Sequence, residues 1–478
     1  MAVLARALPR RLMINGGSIF AGELSARLAT FLVAVVVARG FGPVALGQYG
    51  YAVAVASVLL LVPDSGLHLF IVRELAAAPE RLRPVFWGVH WLKLPLLAIV
   101  LSFSLLFGRL AIHDRGRRLL LYVLVVKVAL QTFSQAYMAV FKAFERMHFV
   151  AVQQFANAFL TAVCVGASFL VHASLTVVVL ALLAGQALET WMGWRIVRSV
   201  FSPGSPCRWD GSSLRLMLFA GAPIGIAAIL QALNLRLDIL TLSPFASNRV
   251  LGNYQAAAWF PVGAFLFVSL LMTTLFPKVA RLLRNPGKQR NDYIESLLKN
   301  GVLLMTVGSI VVGLLAPYLL RVLFGGRLVS AVSALRILVL ALPCIFINTT
   351  MFYLFVAAQR RSAYLTALLL GVFAGGALSV VLSARYGPNG TALAYVLREF
   401  FVSVVYLCFL KAGDFAQSAG RALLRILACA TALIVLVILL ANSTIFGAAW
   451  SLALVAGTVI FMGRPRLQEM LLLVDDDL

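Results

Sequence analysis

The sequence predicts an all-α protein, a polytopic transmembrane bundle of about fourteen helices in two six-helix lobes plus a C-terminal helix pair. Of the 478 residues, 62% are hydrophobic and only 12% are charged, and the mean hydropathy is +0.98. Soluble domains are roughly 45–50% apolar and about 25% charged. The apolar residues also form long continuous runs rather than the short alternating segments of a membrane barrel. Because lipid offers the backbone no hydrogen bonds, such runs are expected to be helical.

A spanning helix needs roughly 20 mostly apolar residues. The runs that meet this requirement are 14–38, 46–72, 84–107, 119–141, 147–171, 174–197, 213–242, 250–277, 296–320, 330–357, 362–384, 389–410, 421–441 and 444–462. The connections between them are short, so no extramembrane domain is expected. We therefore predict an N-terminal lobe at 1–200, a C-terminal lobe at 210–411, and an additional helix pair with a short cytoplasmic tail at 421–478.

The formal net charge of +23 has two explanations in a membrane protein. Basic residues mark cytoplasmic loops and meet anionic lipids, and others can meet an anionic substrate inside the bundle. Placing both termini in the cytoplasm puts most lysines and arginines on that side. The stretch 109–118 is an exception, because it is basic and yet assigned to the opposite side. No basic block with interleaved aromatic residues occurs, so a nucleic-acid partner is not expected.

A short internal repeat supports a two-lobed architecture. One copy is Leu46-Gly47-Gln48-Tyr49 and the other is Leu251-Gly252-Asn253-Tyr254. Each copy opens a predicted helix and follows an arginine in the preceding helix, Arg27 or Arg236. Internal duplication is typical of transporters, whose binding sites lie at the interface of the repeats.

Several stretches across about 380 residues, in this order, resemble one family. They are Ala38-Arg39-Gly40-Phe41-Gly42-Pro43 running into Gly47-Gln48-Tyr49, Asp64-Ser65-Gly66-Leu67 with Arg73-Glu74, Arg236-Leu237-Asp238, Leu251-Gly252-Asn253-Tyr254, Phe276-Pro277, Leu323-Phe324-Gly325 with Leu335-Arg336-Ile337-Leu338, and Tyr386-Gly387 through Gly390-Thr391-Ala392. Together they resemble the polysaccharide transporter family, of the O-antigen flippase type, in the multidrug/oligosaccharidyl-lipid/polysaccharide exporter superfamily.

This resemblance implies a bacterial inner-membrane flippase for polyprenyl-pyrophosphate-linked oligosaccharides, with a cationic cavity between its lobes. The expected partners are the lipid-linked oligosaccharide, membrane lipids and a polysaccharide polymerase or other assembly protein. No cofactor or metal is expected. No nucleotide-binding loop is present in the sequence, so the energy would come from a proton or sodium gradient, the membrane potential or substrate consumption.

Charged residues inside predicted spans are the candidate binding residues, because they are costly in lipid and usually face the bundle interior. Glu23 and Arg27 lie four residues apart, so they share one face of the first helix. Arg27 would attract a pyrophosphate and Glu23 would hold the guanidinium in place. The alternative is a purely structural ion pair.

The seventh predicted helix raises a conflict between two candidate faces. Asn234 and Asp238 lie on one polar stripe, while Arg236 lies on the opposite side of a regular helix. Both faces can reach a cavity only where the helix is irregular. Snorkelling of the Arg236–Asp238 pair to the interface is the alternative.

Two neighbouring helices carry polar stripes suited to a hydrated cavity wall. The fourth contributes Lys127, Gln131 and Gln135, and the fifth contributes Gln153 and Asn157 in one stripe. Hydrogen bonds between helices would require the same residue types. Other membrane-embedded charges have weaker functional signals: Lys93, which could snorkel toward the cytoplasm, Glu189, as packing or as a proton site, and the Arg398–Glu399 pair.

Two other functions compete with the flippase hypothesis. A cation-coupled drug antiporter of the same superfamily would need acidic residues in the membrane, whereas bases outnumber acids in the first lobe. A membrane polysaccharide polymerase or ligase would need a large loop and residues placed for chemistry. The short connections and the absence of catalytic motifs argue against an enzyme.

Overall fold

The computed structural model describes residues 2–64, 66–171, 173–205, 229–284 and 288–411. Within these ranges every regular element is a helix and no strand occurs, which confirms the predicted all-α class. The predicted helix pair at 421–441 and 444–462 lies outside the described residues, as does residue range 213–228 of the seventh predicted helix.

The chain divides into two compact units, the first ending at Ala256 and the second beginning at Ala257. The α-helices of the first unit are α1 (Ala2–Leu59), α2 (Leu61–Asp64), α3 (Leu67–Ala77), α4 (Leu82–Ala111), α5 (Arg115–Ala143), α6 (Met147–Leu170), α7 (Leu175–Ile196) and α8 (Leu237–Leu242). Helix α9 (Asn248–Arg284) begins in this unit. The remaining helices are α10 (Lys288–Phe324), α11 (Val332–Leu338), α12 (Leu342–Ala357) and α13 (Arg361–Lys411).

Two of the helices are far longer than a bilayer is thick. At about 1.5 Å per residue, the 58 residues of α1 and the 51 of α13 each exceed the roughly 30 Å hydrocarbon core. Each bends at a glycine, Gly42 with φ 83° and Gly387 with φ 57°. Such positive φ values suit glycine, which has no Cβ. The bends therefore divide α1 and α13 where the sequence predicts separate spans.

Nine helical segments of the described chain are long and apolar enough to cross a membrane. They are Ala21–Ala77, Pro79–Ala111, Arg115–Ala143, Met147–Leu170, Leu175–Phe201, Asn248–Phe276, Arg290–Phe324, Val332–Ala357 and Ser362–Leu410. The protein is therefore a multi-pass membrane protein. The total of fourteen helices and the six-helix composition of each lobe stay predictions.

The two copies of the repeated Leu-Gly motif contact each other in the first unit. A Cβ added at Gly47 would overlap the carbonyl oxygen of Asn248, and one at Gly252 would overlap the carbonyl oxygen of Pro43. One turn further along, Gly50 faces the side chain of Gln255. Small residues allow membrane helices to approach this closely. The glycines of the repeat are therefore contact points between α1 and α9.

Asp114, at the N-cap of α5, joins this contact to a third helix. Its Oδ2 accepts hydrogen bonds from Gln48 Nε2 at 2.9 Å and from Asn248 Nδ2 at 2.8 Å. Its Oδ1 accepts one from the backbone amide of Gly116 at 2.8 Å. Arg117 donates to Asn248 Oδ1. This hydrogen-bonded group, which we call the Asp114 cluster, gives Arg117 a packing role that is independent of membrane sidedness.

Replacing Gly47 with alanine is expected to separate α1 from α9. The new methyl group would need the space of the Asn248 carbonyl, which belongs to helix backbone and cannot rotate away. We expect a loss of about 1–3 kcal/mol in stability, measured as a lower melting temperature in detergent.

The matched control is Gly166→Ala in α6, where a Cβ would meet nothing within 4 Å. That variant should melt at or slightly above the wild-type temperature, because alanine favours the helix. Equal melting of Gly47→Ala and wild type would contradict the close contact.

The Asp114 cluster also predicts a dependence of stability on pH. Burial raises the pKa of Asp114, but hydrogen bonds from Gln48, Asn248 and the amides of Gly116 and Arg117 outweigh burial and lower the pKa below its usual value. A lowered folded-state pKa gives stability that is complete above the unfolded pKa and is lost as pH falls through the folded value. The melting temperature of wild type should therefore fall more steeply than that of Asp114→Asn as the pH drops below about 4. Above that pH the difference between the two melting temperatures should stay constant. A difference between the two proteins that changes between about pH 5 and about pH 8 would contradict this assignment.

Candidate functional site

A cavity of about 480 Å³ lies inside the first unit. Its walls come from α1, α5, α6 and α7 and from Arg236, which precedes α8. This volume is within the range typical of small-ligand sites. The fold brings together polar residues that are more than 200 positions apart in the sequence.

Five charged residues line the cavity, the bases Arg27, Lys127 and Arg236 and the acids Glu23 and Glu189. Arg27 and Arg236 are close enough to repel each other electrostatically. Within the described chain, no ion pair joins Glu23 to Arg27. The Arg27 guanidinium is thus not locked into the structural pair considered above. Two like charges facing one cavity favour a ligand of opposite charge.

Arg236 lies at a break in the helix and lines the cavity. Residues 229–234 are helical, Leu235 and Arg236 form a turn, and α8 starts at Leu237. Arg236 has φ −124° and ψ −4°, which is not helical. Of the two candidate faces, the cavity receives Arg236 and neither Asn234 nor Asp238, so the conflict is settled in favour of the arginine.

Six of the eight predicted site residues line the cavity: Glu23, Arg27, Lys127, Gln131, Asn157 and Arg236. Asn234 and Asp238 are not among its lining residues. Asp238 is only 8% exposed and accepts a hydrogen bond from the Tyr254 hydroxyl at 3.0 Å. Tyr254 belongs to the second copy of the repeat, so Asp238 ties α8 to α9. A part for Asn234 or Asp238 in binding stays a prediction.

Glu189 organises the cavity wall that is formed by α5, α6 and α7. Its carboxylate accepts hydrogen bonds from Ser134 Oγ at 2.6 Å and from Asn157 Nδ2. Its backbone carbonyl accepts one from Gln153 Nε2 at 2.8 Å. Three helices are therefore joined at one buried acid. Asn157 has a structural contact in addition to its place on the cavity surface.

Lys127 lies in the same wall and is held by its own helix. Its Nζ donates to Gln131 Oε1 at 2.9 Å, one turn further along α5. It also interacts electrostatically with Glu189. The predicted face that contains Lys127, Gln131 and Gln135 is present, because all three residues line the cavity.

The predicted polar stripe of α6 is correct for Asn157 but wrong for Gln153. Gln153 is fully buried against the backbone of α7, whereas the adjacent Gln154 lines the cavity. The Gln154 side chain lies over Gly22 of α1, where a Cβ would overlap it. The sequence pattern missed Gln154 because spacing alone does not show which neighbouring helix a stripe faces.

The structure rules out the alternative that Lys93 snorkels toward the cytoplasm. Its side chain is 0% exposed, donates to the Thr132 carbonyl at 2.5 Å and lies 3.7 Å from Asp64. Asp64 also contacts His68 Nδ1 at 2.9 Å. The lysine is retained inside the protein because an acid and a backbone carbonyl from other helices surround its ammonium group.

In the second unit, Arg398 and Glu399 form the predicted pair, with 2.8 Å between Nη2 and Oε1. Asn348 of α12 donates to Glu399 Oε2 at 2.8 Å. Both charged residues are under 10% exposed. These contacts indicate a structural pair. The described chain contains no group of three or more His, Cys, Asp or Glu residues able to hold a metal ion.

Residues 12–283 match the sequence profile of a family described as polysaccharide biosynthesis protein, which is more than half of the chain. The chain belongs to this family. No curated protein matches it. Membership agrees with the resemblance seen in the sequence stretches.

Solved structures show the same fold at low sequence identity. The lipid II flippase MurJ, in an inward closed conformation, aligns with a TM-score of 0.72 at 14% identity over 95% of this chain and 99% of that chain. An inward-facing multidrug resistance MATE transporter of the MOP superfamily has a TM-score of 0.65 at 14% identity, covering 84% and 95%. A MOP superfamily transporter from Pyrococcus furiosus has a TM-score of 0.57 at 13% identity, covering 87% and 96%. The protein therefore has the fold of the MurJ and MATE transporters.

The Glu189 contacts predict a difference between two substitutions. Glu189→Leu would leave the buried Ser134 hydroxyl without its acceptor, at about 1–3 kcal/mol, and would remove the acceptor of the partly buried Asn157 amide. Glu189→Gln keeps an acceptor oxygen at the same place. The melting temperature should fall markedly for the leucine variant and by much less for glutamine. Equal losses for both variants would show that the hydrogen bonds do not hold this wall together.

Proposed function

We propose that this protein is a flippase that moves a polyprenyl-pyrophosphate-linked oligosaccharide from the cytoplasmic to the outer leaflet of the bacterial inner membrane. The observation that carries the proposal is the convergence of Arg27, Lys127 and Arg236 on one cavity. Membership of a polysaccharide biosynthesis family and the fold shared with a lipid II flippase support this substrate class.

The cavity chemistry suits a diphosphate. Arginine presents paired donors in a planar fork that matches phosphate oxygens. Arg27 lies in α1 and Arg236 lies in the turn before α8, so two guanidinium groups can approach the diphosphate from different directions. Neutralising phosphates also removes their mutual repulsion. Glu23, one helical turn from Arg27, would orient that guanidinium and leave its other N–H groups available to the phosphate.

Translocation would follow alternating access. The headgroup enters the cavity from the cytoplasmic side while the polyprenyl tail stays in lipid, and a rearrangement of the helices then opens the outer side. Both termini would lie in the cytoplasm. The moving unit carries negative charge, so the membrane potential favours its outward movement. A proton or sodium gradient is the alternative energy source.

Drug antiport is the second candidate function, because MATE transporters share the fold. The two acids that line the cavity, Glu23 and Glu189, would then attract an organic cation. However, the carboxylate of Glu189 already accepts two hydrogen bonds from protein donors. The three bases would also repel a cation, so the charge balance of the cavity favours the anionic lipid.

A flipping assay in proteoliposomes tests the proposal. It uses a short-chain polyprenyl-pyrophosphate oligosaccharide and compares wild type with Arg27→Ala and Arg236→Ala. We expect each variant to be about 10- to 100-fold slower, since each loses charge-assisted hydrogen bonds to the headgroup. Arg109→Ala, an exposed arginine outside the cavity, should flip at the wild-type rate.

The assay separates the two candidate functions. Translocation that survives both arginine substitutions would leave the activity in place but exclude this cavity as its site. Protein-dependent exchange of an organic cation, without movement of any pyrophosphate lipid, would establish the antiporter.

A further inference from the structure

The five amide side chains of the cavity differ in which hydrogen bonds the protein supplies. Gln186, beside Glu189, has a buried Nε2 donor that has no hydrogen-bond partner among the described residues. Gln131 and Asn157 are engaged with protein partners, since Gln131 accepts from Lys127, and Asn157 donates to Glu189 and accepts from Thr161. Gln135 and Gln154 also line the cavity, but the Oε1 atom of each is buried and has no hydrogen-bond partner among the described residues.

A buried carbonyl oxygen without a donor costs free energy, because it has lost its hydrogen bonds to water and gained none from the protein. Most such oxygens in native proteins have partners, and an exception calls for an explanation such as strain, a catalytic role or a bound water or ion. Gln135 is on α5 and Gln154 is on α6, so two helices each bring an unmatched acceptor to the same cavity. The terminal torsion of glutamine is soft, so a modest rotation can turn either oxygen toward a ligand.

The donors and acceptors that each group carries indicate the chemistry of the missing partner. An amide oxygen only accepts, so it needs a donor. A diphosphate esterified at both ends keeps one ionised oxygen on each phosphate, so it offers acceptors alone, and its negative charge would be repelled by the amide oxygens. A sugar offers hydroxyl or amide N–H donors, and each hydroxyl also accepts from neighbouring side chains. The diphosphate therefore fits the arginines, and the sugar fits the glutamines.

We propose that Gln135 and Gln154 form a subsite for the first sugar of the lipid-linked glycan, beside an anion subsite at Arg27 and Arg236. This inference rests on the proposed function, because it divides the same cavity into two chemically distinct parts. The sugar subsite lets the protein distinguish a glycosylated carrier from the bare diphosphate lipid. The subsite acts through hydrogen bonds between neutral groups, so changing the charge of the cavity would not reproduce the preference for the sugar.

Two probes of equal charge test the subsite by binding to purified full-length protein in detergent. The first is farnesyl diphosphate esterified to N-acetylglucosamine, with a galactose version measured separately. The second carries a methyl group in place of the sugar, so both phosphates remain diesters. Wild type should bind the sugar probes more tightly than the methyl probe.

Gln135→Leu and Gln154→Leu should each weaken binding of at least one sugar probe by about 2- to 10-fold, the loss of one neutral hydrogen bond. Binding of the methyl probe should stay within about twofold of wild type. Arg27→Ala should weaken all probes by a similar factor. Gln153→Leu, which removes a structural contact next to Gln154, should lower the melting temperature but keep the wild-type ratio of sugar to methyl affinity.

The readout distinguishes failure of the subsite from failure of the proposed function. Equal weakening of sugar and methyl probes by the glutamine variants, or no weakening at all, overturns the sugar subsite. A sugar preference that depends on the glutamines, together with no effect of Arg27→Ala, supports the subsite but removes the anion site. Absence of binding of every probe to folded wild type overturns both.

Discussion

A charged or polar group inside a bilayer is stable only where it contacts polar partners in the protein or faces a hydrated cavity. Lys93 and the Arg398–Glu399 pair show the first solution, since each is enclosed by partners from neighbouring helices. Arg27 shows the second solution, because it faces a cavity. Glu189 combines both, because it lines the cavity and accepts hydrogen bonds from neighbouring helices. The distinction separates charges that hold helices together from charges available to a ligand, and it underlies the proposed site.

The same requirement explains how the cavity wall is held together. Glu189 draws hydrogen bonds from α5 and α6, so the helices that carry Lys127 and Asn157 cannot slide independently. Binding residues held by such contacts are pre-organised, which reduces the entropy lost when a ligand binds. Arg236 is placed differently, by a turn between the helical residues 229–234 and α8, where its backbone is not helical.

Glycine positions connect the internal repeat to the packing of the first unit. Gly47 and Gly252 occupy equivalent places in the two motifs, and each lies against backbone of the opposite segment. The Asp114 cluster then joins the same segments through side-chain hydrogen bonds. The glycine of the four-residue motif thus has a physical explanation, because any side chain at that position would force the helices apart.

The amino-acid sequence by itself determined the membrane class, the helical architecture and most of the cavity charges. Long apolar runs in lipid leave helices as the only solution for the backbone, and a charge inside a run must face the interior. Spacing on one helix was also enough to group Lys127 with Gln131 and Gln135. Local pattern and solvent decide these features, so no knowledge of packing is needed.

Only the tertiary structure decided which partner each polar group meets. It assigned Gln153 to the backbone of α7 and Gln154 to the cavity, enclosed Lys93, turned Asp238 toward Tyr254 and broke the helix at Arg236. The physical reason is that periodicity defines faces within one helix, whereas the neighbour of each face depends on contacts between residues far apart in the sequence. The separation of bases from unmatched amides within the cavity therefore depends on these long-range contacts.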